Sequence, residues 1–365
     1  MAHAANVEVS QTNLVTDDQS YLTGLGYDAA AHVDANLIDP RGIAASAASP
    51  FWVADHGTDK VTLYNSGGTP QALVVSTPGV GVSGITFNAT TNYNSDLFVM
   101  SSTDGTISGW RGALGSTAET LSSSFAGGVY TGIAIGTLAS GTYLYAADQH
   151  NNMITVLPGT GAPALPGHFI DPGEPAGYSP FNVANLGGHL LVTYARAGSE
   201  ATEPLGTGFI DEFNLDGTFV TRLATGGALA SPWGMAIAPS SFGDFAGALL
   251  VANHSDDNGF INAFSLADGS LLGQLEDGMG NPLDIPDLWG LQVGNGGNGG
   301  SAETLYFTAG LGGGAHGLFG SLSFLSNDSS SNNPAVPEPE SWELMLAGFG
   351  VIGAVARRRR TTAAA

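Results

Sequence analysis

The sequence predicts an all-β protein, folded as a six-bladed β-propeller and closed by an N-terminal strand. Three observations predict it. A strand triplet recurs six times along the body, glycine-led turns separate the strands, and helical periodicity is nearly absent. The 365 residues include 54 glycines and are 43% hydrophobic but only 11% charged, a composition that supplies a sizeable core and is not disordered by charge.

The first element is Val7-Glu8-Val9-Ser10-Gln11-Thr12-Asn13-Leu14-Val15, a β-prone segment ahead of the repeats. Each repeat then opens with a small, apolar strand. Its starting positions are Gly42, Gly84, Gly132, Asn182, Gly234 and Gly290, spaced 42 to 56 residues apart. A second strand follows at 51–55, 97–101, 144–148, 190–194, 249–253 and 305–309, and a third at 61–65, 106–110, 153–157, 209–213, 260–264 and 318–322. Periods of about 40–50 residues with three or four short strands each are propeller blades. Asp216-Gly217 and Asp268-Gly269 mark tight turns between strands. A two-sheet sandwich would not restart one triplet six times. The sixth repeat ends near Phe324 without an outer strand, so the N-terminal segment is expected to fill that edge and close the ring.

The two ends of the chain read as export signals. Met1-Ala2-His3-Ala4-Ala5 has the small-x-small pattern of a signal-peptidase site, and residues 1–6 are expected to be the remnant of a signal peptide. The propeller is expected over 7–325, and a flexible polar linker rich in Ser and Asn over 326–335. Residues 336–360 hold Val336-Pro337-Glu338-Pro339, an apolar run at 344–356, and Arg357-Arg358-Arg359-Arg360. The run falls short of the ~20 residues that span a bilayer comfortably, and the arginines hold its far end on the cytoplasmic side. This order of features resembles the PEP-CTERM sorting signal. The resemblance implies a C-terminal sorting helix, cutting near Pro-Glu-Pro by exosortase, and release of the body to the cell surface or extracellular matrix. Contact with the membrane is then made only through the C-terminal helix before processing. The competing reading is a permanent tail anchor.

Charge narrows the partners. The net charge is −23, and without residues 338–365 the body has five bases against 29 acids, or −24. Nucleic acid and anionic membrane surfaces are excluded as partners, whereas cations and neutral sugars fit. The chain has no cysteine, so it has neither disulfides nor thiolate chemistry.

Propeller geometry places the residues before each first strand and after each second strand around one mouth of the central channel. These include Arg41, Phe181, Trp233 and Trp289 on one side of the count, and Asp55, Asp148, Tyr194 and Asn253 on the other. Histidines follow at His56, His150 and His254. Asp55, Asp148 and Asn253, with these imidazoles, form a candidate set of Ca²⁺ ligands. The competing reading is that each is a turn-former bonded to its own backbone. The aromatic residues suit the stacking of sugar faces, or else pack between blades. The loop 195–208, with Glu200 and Glu203, is an insertion over one face. The glycine-rich stretch 294–300 lacks the Lys-Ser/Thr of a phosphate loop, and Asp256-Asp257-Asn258-Gly259 lacks full EF-hand spacing.

The body also resembles a family of exported PEP-CTERM proteins with an NHL- or gluconolactonase-like propeller. The resemblance rests on Asn36-Leu37-Ile38-Asp39-Pro40-Arg41-Gly42-Ile43-Ala44, on Phe51-Trp52-Val53-Ala54-Asp55, on Ser231-Pro232-Trp233-Gly234-Met235-Ala236 and on Leu288-Trp289-Gly290-Leu291. It implies a fold but brings no chemistry with it. Two functions are expected from the residues: non-catalytic binding of exopolysaccharide or another matrix component, or a metal-dependent lactonase- or esterase-like hydrolase at the central channel.

Overall fold

A computed structural model describes residues 5–123, 127–256 and 259–325. Of the remnant expected at 1–6, only Ala5 and Asn6 are described. The linker at 326–335 and the sorting segment at 336–360 lie outside the described residues. The described chain is all-β and propeller-like, with 24 strands and only short helical turns.

The strands fall into successive antiparallel groups. The first is Pro40–Ala44, Phe51–Asp55, Lys60–Tyr64 and Val75–Ser76, and the second is Val82–Phe87, Phe98–Ser102, Ile107–Trp110 and Glu119–Ser122. The third has three strands, Tyr130–Leu138, Gly141–Asp148 and Met153–Pro158. Ser179–Leu186, His189–Ala195, Phe209–Asn214 and Phe219–Thr225 make the fourth. The last two groups are Pro232–Ile237, Leu249–Asn253, Ile261–Phe264 and Leu271–Glu276, and then Leu288–Val293, Thr304–Ala309 and Leu318–Phe324. These two belong to one large sheet, because the N-terminal strand Ala5–Thr16 joins them. Val9 to Thr16 pair antiparallel with Leu318–Phe324, as expected of a strand closing the sixth repeat. Ala5 to Glu8 pair instead, in parallel, with Gly273 to Glu276 of the fifth group.

The inner strands begin about two residues before the glycines, at Pro40, Val82, Tyr130, Ser179, Pro232 and Leu288. In all six groups the register with the second strand shifts just after this entry. Such a bulge bends the strand inward. Each inner strand packs on the next, and Leu288–Val293 packs back on Pro40–Ala44, so the sequence of neighbours forms a closed cycle. Glycine makes the close approach possible. A Cβ on Gly42 would lie 2.6 Å from Ser83 O, one on Gly84 2.7 Å from Ile133 N, and one on Gly290 2.6 Å from Arg41 O. Asn182 replaces glycine in the fourth group, and its Nδ2 donates to Trp233 O at 2.7 Å. Between neighbouring groups lie the cores, such as Trp52 stacked on Phe98 and Tyr145 edge-on to Phe169. Among the described residues no helix is long and apolar enough to cross a membrane.

Candidate functional site

At the entry to most inner strands sits a residue with positive φ, three positions before the glycine: Asp39 (47°), Gly81 (71°), Ser231 (46°) and Asp287 (54°). Its carbonyl accepts a hydrogen bond from the first residue after the second strand. The pairs are His56 N to Asp39 O (3.1 Å), Thr103 N to Gly81 O (2.9 Å), His254 N to Ser231 O (3.0 Å) and Gly310 N to Asp287 O (2.9 Å). Gln149 N to Val129 O (2.9 Å) repeats the pattern in the third group. One mouth is therefore ringed by His56, Thr103, Gln149, His254 and Gly310. His150, expected in this ring, is exposed one position further on.

Asp39 is the hub of this mouth. Its Oδ2 accepts from Arg41 Nε (3.0 Å) and Nη2 (2.7 Å), and its Oδ1 accepts from Trp289 Nε1 (3.1 Å). His56 Nδ1 lies 3.1 Å from Oδ2. Burial alone would raise the Asp39 carboxyl, but Arg41 and the His56 bond outweigh it and hold it below the usual carboxylate range. The Arg41 guanidinium lies 4.3 Å from the centroid of the Trp289 ring, and the imidazole of His254 stacks on that ring at 3.7 Å. Trp233 meets Trp289 edge-on at 5.4 Å, and Phe181 packs 5.7 Å from Trp289. Phe181, Trp233 and Trp289 are 2–4% exposed, so these rings form buried packing, the second of the two arrangements expected of them, and not open stacking platforms. Burial, and then the Arg41 charge, push the His254 imidazole down to about 3.

The three expected metal ligands are each placed in their own surroundings. Asp148 accepts from Asn151 N (3.2 Å), Asn151 Nδ2 (2.9 Å), Val129 N (3.2 Å) and Thr155 Oγ1 (3.2 Å). Asn253 accepts from Ala230 N (3.1 Å) and donates to Ala228 O (2.9 Å). Asp55 is fully buried beside Thr62 without a hydrogen bond of normal geometry, and burial raises its carboxyl well above the usual range. Among the described residues no group of three or more His, Asp or Glu side chains is arranged to hold a metal ion. Tyr194 is 1% exposed and stacks on Phe209 at 4.3 Å.

The insertion after the strand His189–Ala195 bridges two neighbouring groups. Glu200 Oε1 accepts from Gln149 Nε2 at 2.5 Å, and Ala201 O accepts from Asp256 N at 2.9 Å. Asp287 is 3% exposed; its Oδ2 accepts from Gly313 N at 2.9 Å, and burial, then the nearby Asp256 carboxylate, raise it to about 7.

Between the inner strands, with Gly42, Gly84 and Gly290 in its wall, runs an axial cavity of about 300 Å³, lined by residues from all six inner strands. Ile43, Ile85, Ile133, Met235 and Leu291 supply its apolar walls, and Thr86, Asn182, Asn185 and Gln292 its polar groups. No ionisable side chain lines it, and Asp55, Asp148 and Asn253 are not in its wall.

Phe181, Trp233, Trp289, Arg41, His56 and His254 lie near one another at this mouth, and Asp39, Thr103 and Asp287, which the sequence reading does not name as site residues, lie there too. The signal was there: Asp39 and Asp287 both stand three residues before a strand-opening glycine.

Residues 335–360 match the PEP-CTERM protein-sorting motif. That motif is the address of an exported, surface-anchored protein and implies processing by exosortase. A solved structure of a putative gluconolactonase is 16% identical, overlaps 79% of this chain and 89% of its own, and superposes with a TM-score of 0.50. That likeness is one of fold. Virginiamycin B lyase from Staphylococcus aureus is 12% identical, with 87% of this chain and 99% of its own covered, at a TM-score of 0.49. Protein R648 of Acanthamoeba polyphaga mimivirus is 33% identical over 298 residues, 74% of this chain and 72% of that protein. Protein L690 of the same virus is 32% identical over 289 residues, 72% of this chain and 75% of its own. With nearly three-quarters of the chain aligned at about one identical residue in three, the chain belongs to the family that contains the mimivirus proteins R648 and L690.

Proposed function

We propose that the protein is a six-bladed propeller at the cell surface that holds a neutral polysaccharide, or another neutral matrix component, without transforming it. The propeller occupies 7–325, followed by a polar linker at 326–335 and the sorting signal at 336–360. The six-blade reading is supported by the closed cycle of inner strands. The observation that carries the binding reading is the axial cavity, whose amide and hydroxyl groups stand among aliphatic walls free of charge. Such a lining suits hydroxyl-rich neutral ligands, while the −24 body repels anionic polymers. The three residues expected to serve a channel hydrolase, Asp55, Asp148 and Asn253, are outside that wall.

Affinity electrophoresis through gels cast with neutral and with sulfated polysaccharides tests the reading. Retardation is expected in at least one neutral gel and not in the sulfated one; free migration in every neutral gel overturns it. A Ca²⁺ titration followed by thermal shift addresses the hydrolase alternative. No stabilisation is expected, and stoichiometric calcium with a clear rise in Tm would restore the metal site. Mass spectrometry of surface-released protein is expected to find a C-terminus near Glu338 or Pro339, whereas intact Arg357–Arg360 in that fraction contradicts sorting.

A further inference from the structure

We propose that Thr103, His56 and Asp39 form a hydroxyl–imidazole–carboxylate relay at the rim of the mouth, and that it hydrolyses small acyl esters. This goes beyond the binding reading and uses a different part of the molecule. Asp39 is an acceptor-only partner that stays ionised through the neutral range, so its Oδ2, 3.1 Å away, keeps the proton of His56 on Nδ1. Nε2 then carries the lone pair, and it faces Thr103 Oγ1 at 3.4 Å. The hydroxyl's other neighbour is Val80 O, also at 3.4 Å.

Three features make the arrangement a built one. Asp39 is fixed by Arg41 and by Trp289, so the imidazole is oriented from behind by a carboxylate that cannot swing away. The backbone supplies the alignment, because His56 and Thr103 occupy equivalent places in adjacent groups and each donates its N–H to the carbonyl at the strand entry. Gly81 leaves the space between the two side chains open. A Cβ there would lie 2.8 Å from His56 Nε2 and closer still to Thr103 Oγ1. The pair is reachable from solvent, with the His56 side chain 25% exposed and Val80 beside it 63% exposed. Val80 offers a small apolar surface for an acyl group.

The chemistry balances without a cofactor. Thr103 Oγ attacks the ester carbonyl carbon while its proton passes to His56 Nε2. The carbon–oxygen bond to the alcohol breaks, and that proton leaves with the alcohol. Water then attacks the acyl-threonine, giving one proton through Nε2 back to Oγ and releasing the carboxylic acid. The substrate class is an ester of a short acyl chain, such as an O-acetyl group.

The test uses the full chain and p-nitrophenyl acetate. Hydrolysis above buffer is expected, with an acetyl adduct on Thr103 found by peptide mass spectrometry after acid quenching. Thr103→Val and His56→Gln are expected to lower the rate by about 10²-fold or to buffer level, the size of general-base assistance, while Thr103→Ser retains it. Circular dichroism melting identifies any variant that fails to fold, and Thr103→Ser against Thr103→Val then decides on folded protein alone. A native rate equal to buffer, or Thr103→Val hydrolysing as fast as native protein, overturns the relay.

Discussion

The inner-strand glycines stand where a side chain would meet the neighbouring strand's backbone. A methyl group on Gly84 would press on the backbone at Ile133 N, 2.7 Å away, and backbone cannot yield as a side chain does. Gly84→Ala is therefore expected to cost about 1–3 kcal/mol in urea unfolding. Gly112→Ala is expected to be close to neutral, since no atom lies within 4 Å of the added carbon. Asp55 is the opposite kind of residue, a fully buried carboxyl that no hydrogen bond of normal geometry satisfies. Its raised pKa means that ionisation opposes folding. Asp55→Asn is thus expected to raise the unfolding midpoint at pH 8 and to change little at pH 4; equal shifts at both values would contradict this. These positions were unevenly legible. A glycine opening an apolar strand stands out in the sequence, whereas the difference between His150 and Gln149 at the mouth depends on the residue at which a strand stops pairing.

At the level of elements, the N-terminal strand does two jobs with one segment. Val9 to Thr16 complete the sixth group, and Ala5 to Glu8 lie on the fifth, where Val7 is 2% exposed. Removing residues 1–8 is expected to lower Tm and to strip hydrogen-exchange protection from the strand Leu271–Glu276, while Leu249–Asn253 stays protected. Unchanged exchange at Gln274 and Leu275 would show that the parallel pairing is dispensable. The closing role was legible because the sixth repeat runs out one strand short. The second role was not, because a parallel partner has no turn or spacing to announce it. The bulge at each entry was also hidden, which is why the strands begin before the glycines.

For the whole molecule, ionisation sets the direction of stability with pH. Asp211, raised by burial and then by Asp171, and Asp287, raised by burial and then by Asp256, both reach about 7. Carboxyls with raised folded pKa values contribute stability that is complete below the unfolded value near 3.9 and is lost as pH climbs through about 7. Asp39 works in the other sense, but its contribution disappears only at pH well below the ordinary carboxylate range. The body should therefore melt several degrees higher at pH 5 than at pH 8. Asp211→Asn with Asp287→Asn should flatten that slope, and a higher Tm at pH 8 in native protein would refute it.

The N-terminal strand also imposes an order of events on synthesis and export. Ala5–Thr16 opens the described body, yet its antiparallel partner Leu318–Phe324 closes it. Before that partner is made, the opening segment can pair only with His32–Val33 and, later, with Leu271–Glu276. Antiparallel ring closure is thus a late step with a long loop to close, the kind of non-local pairing that slows folding. For an exported chain, the circle cannot shut until Leu318–Phe324 has reached the same side of the membrane as Ala5–Thr16.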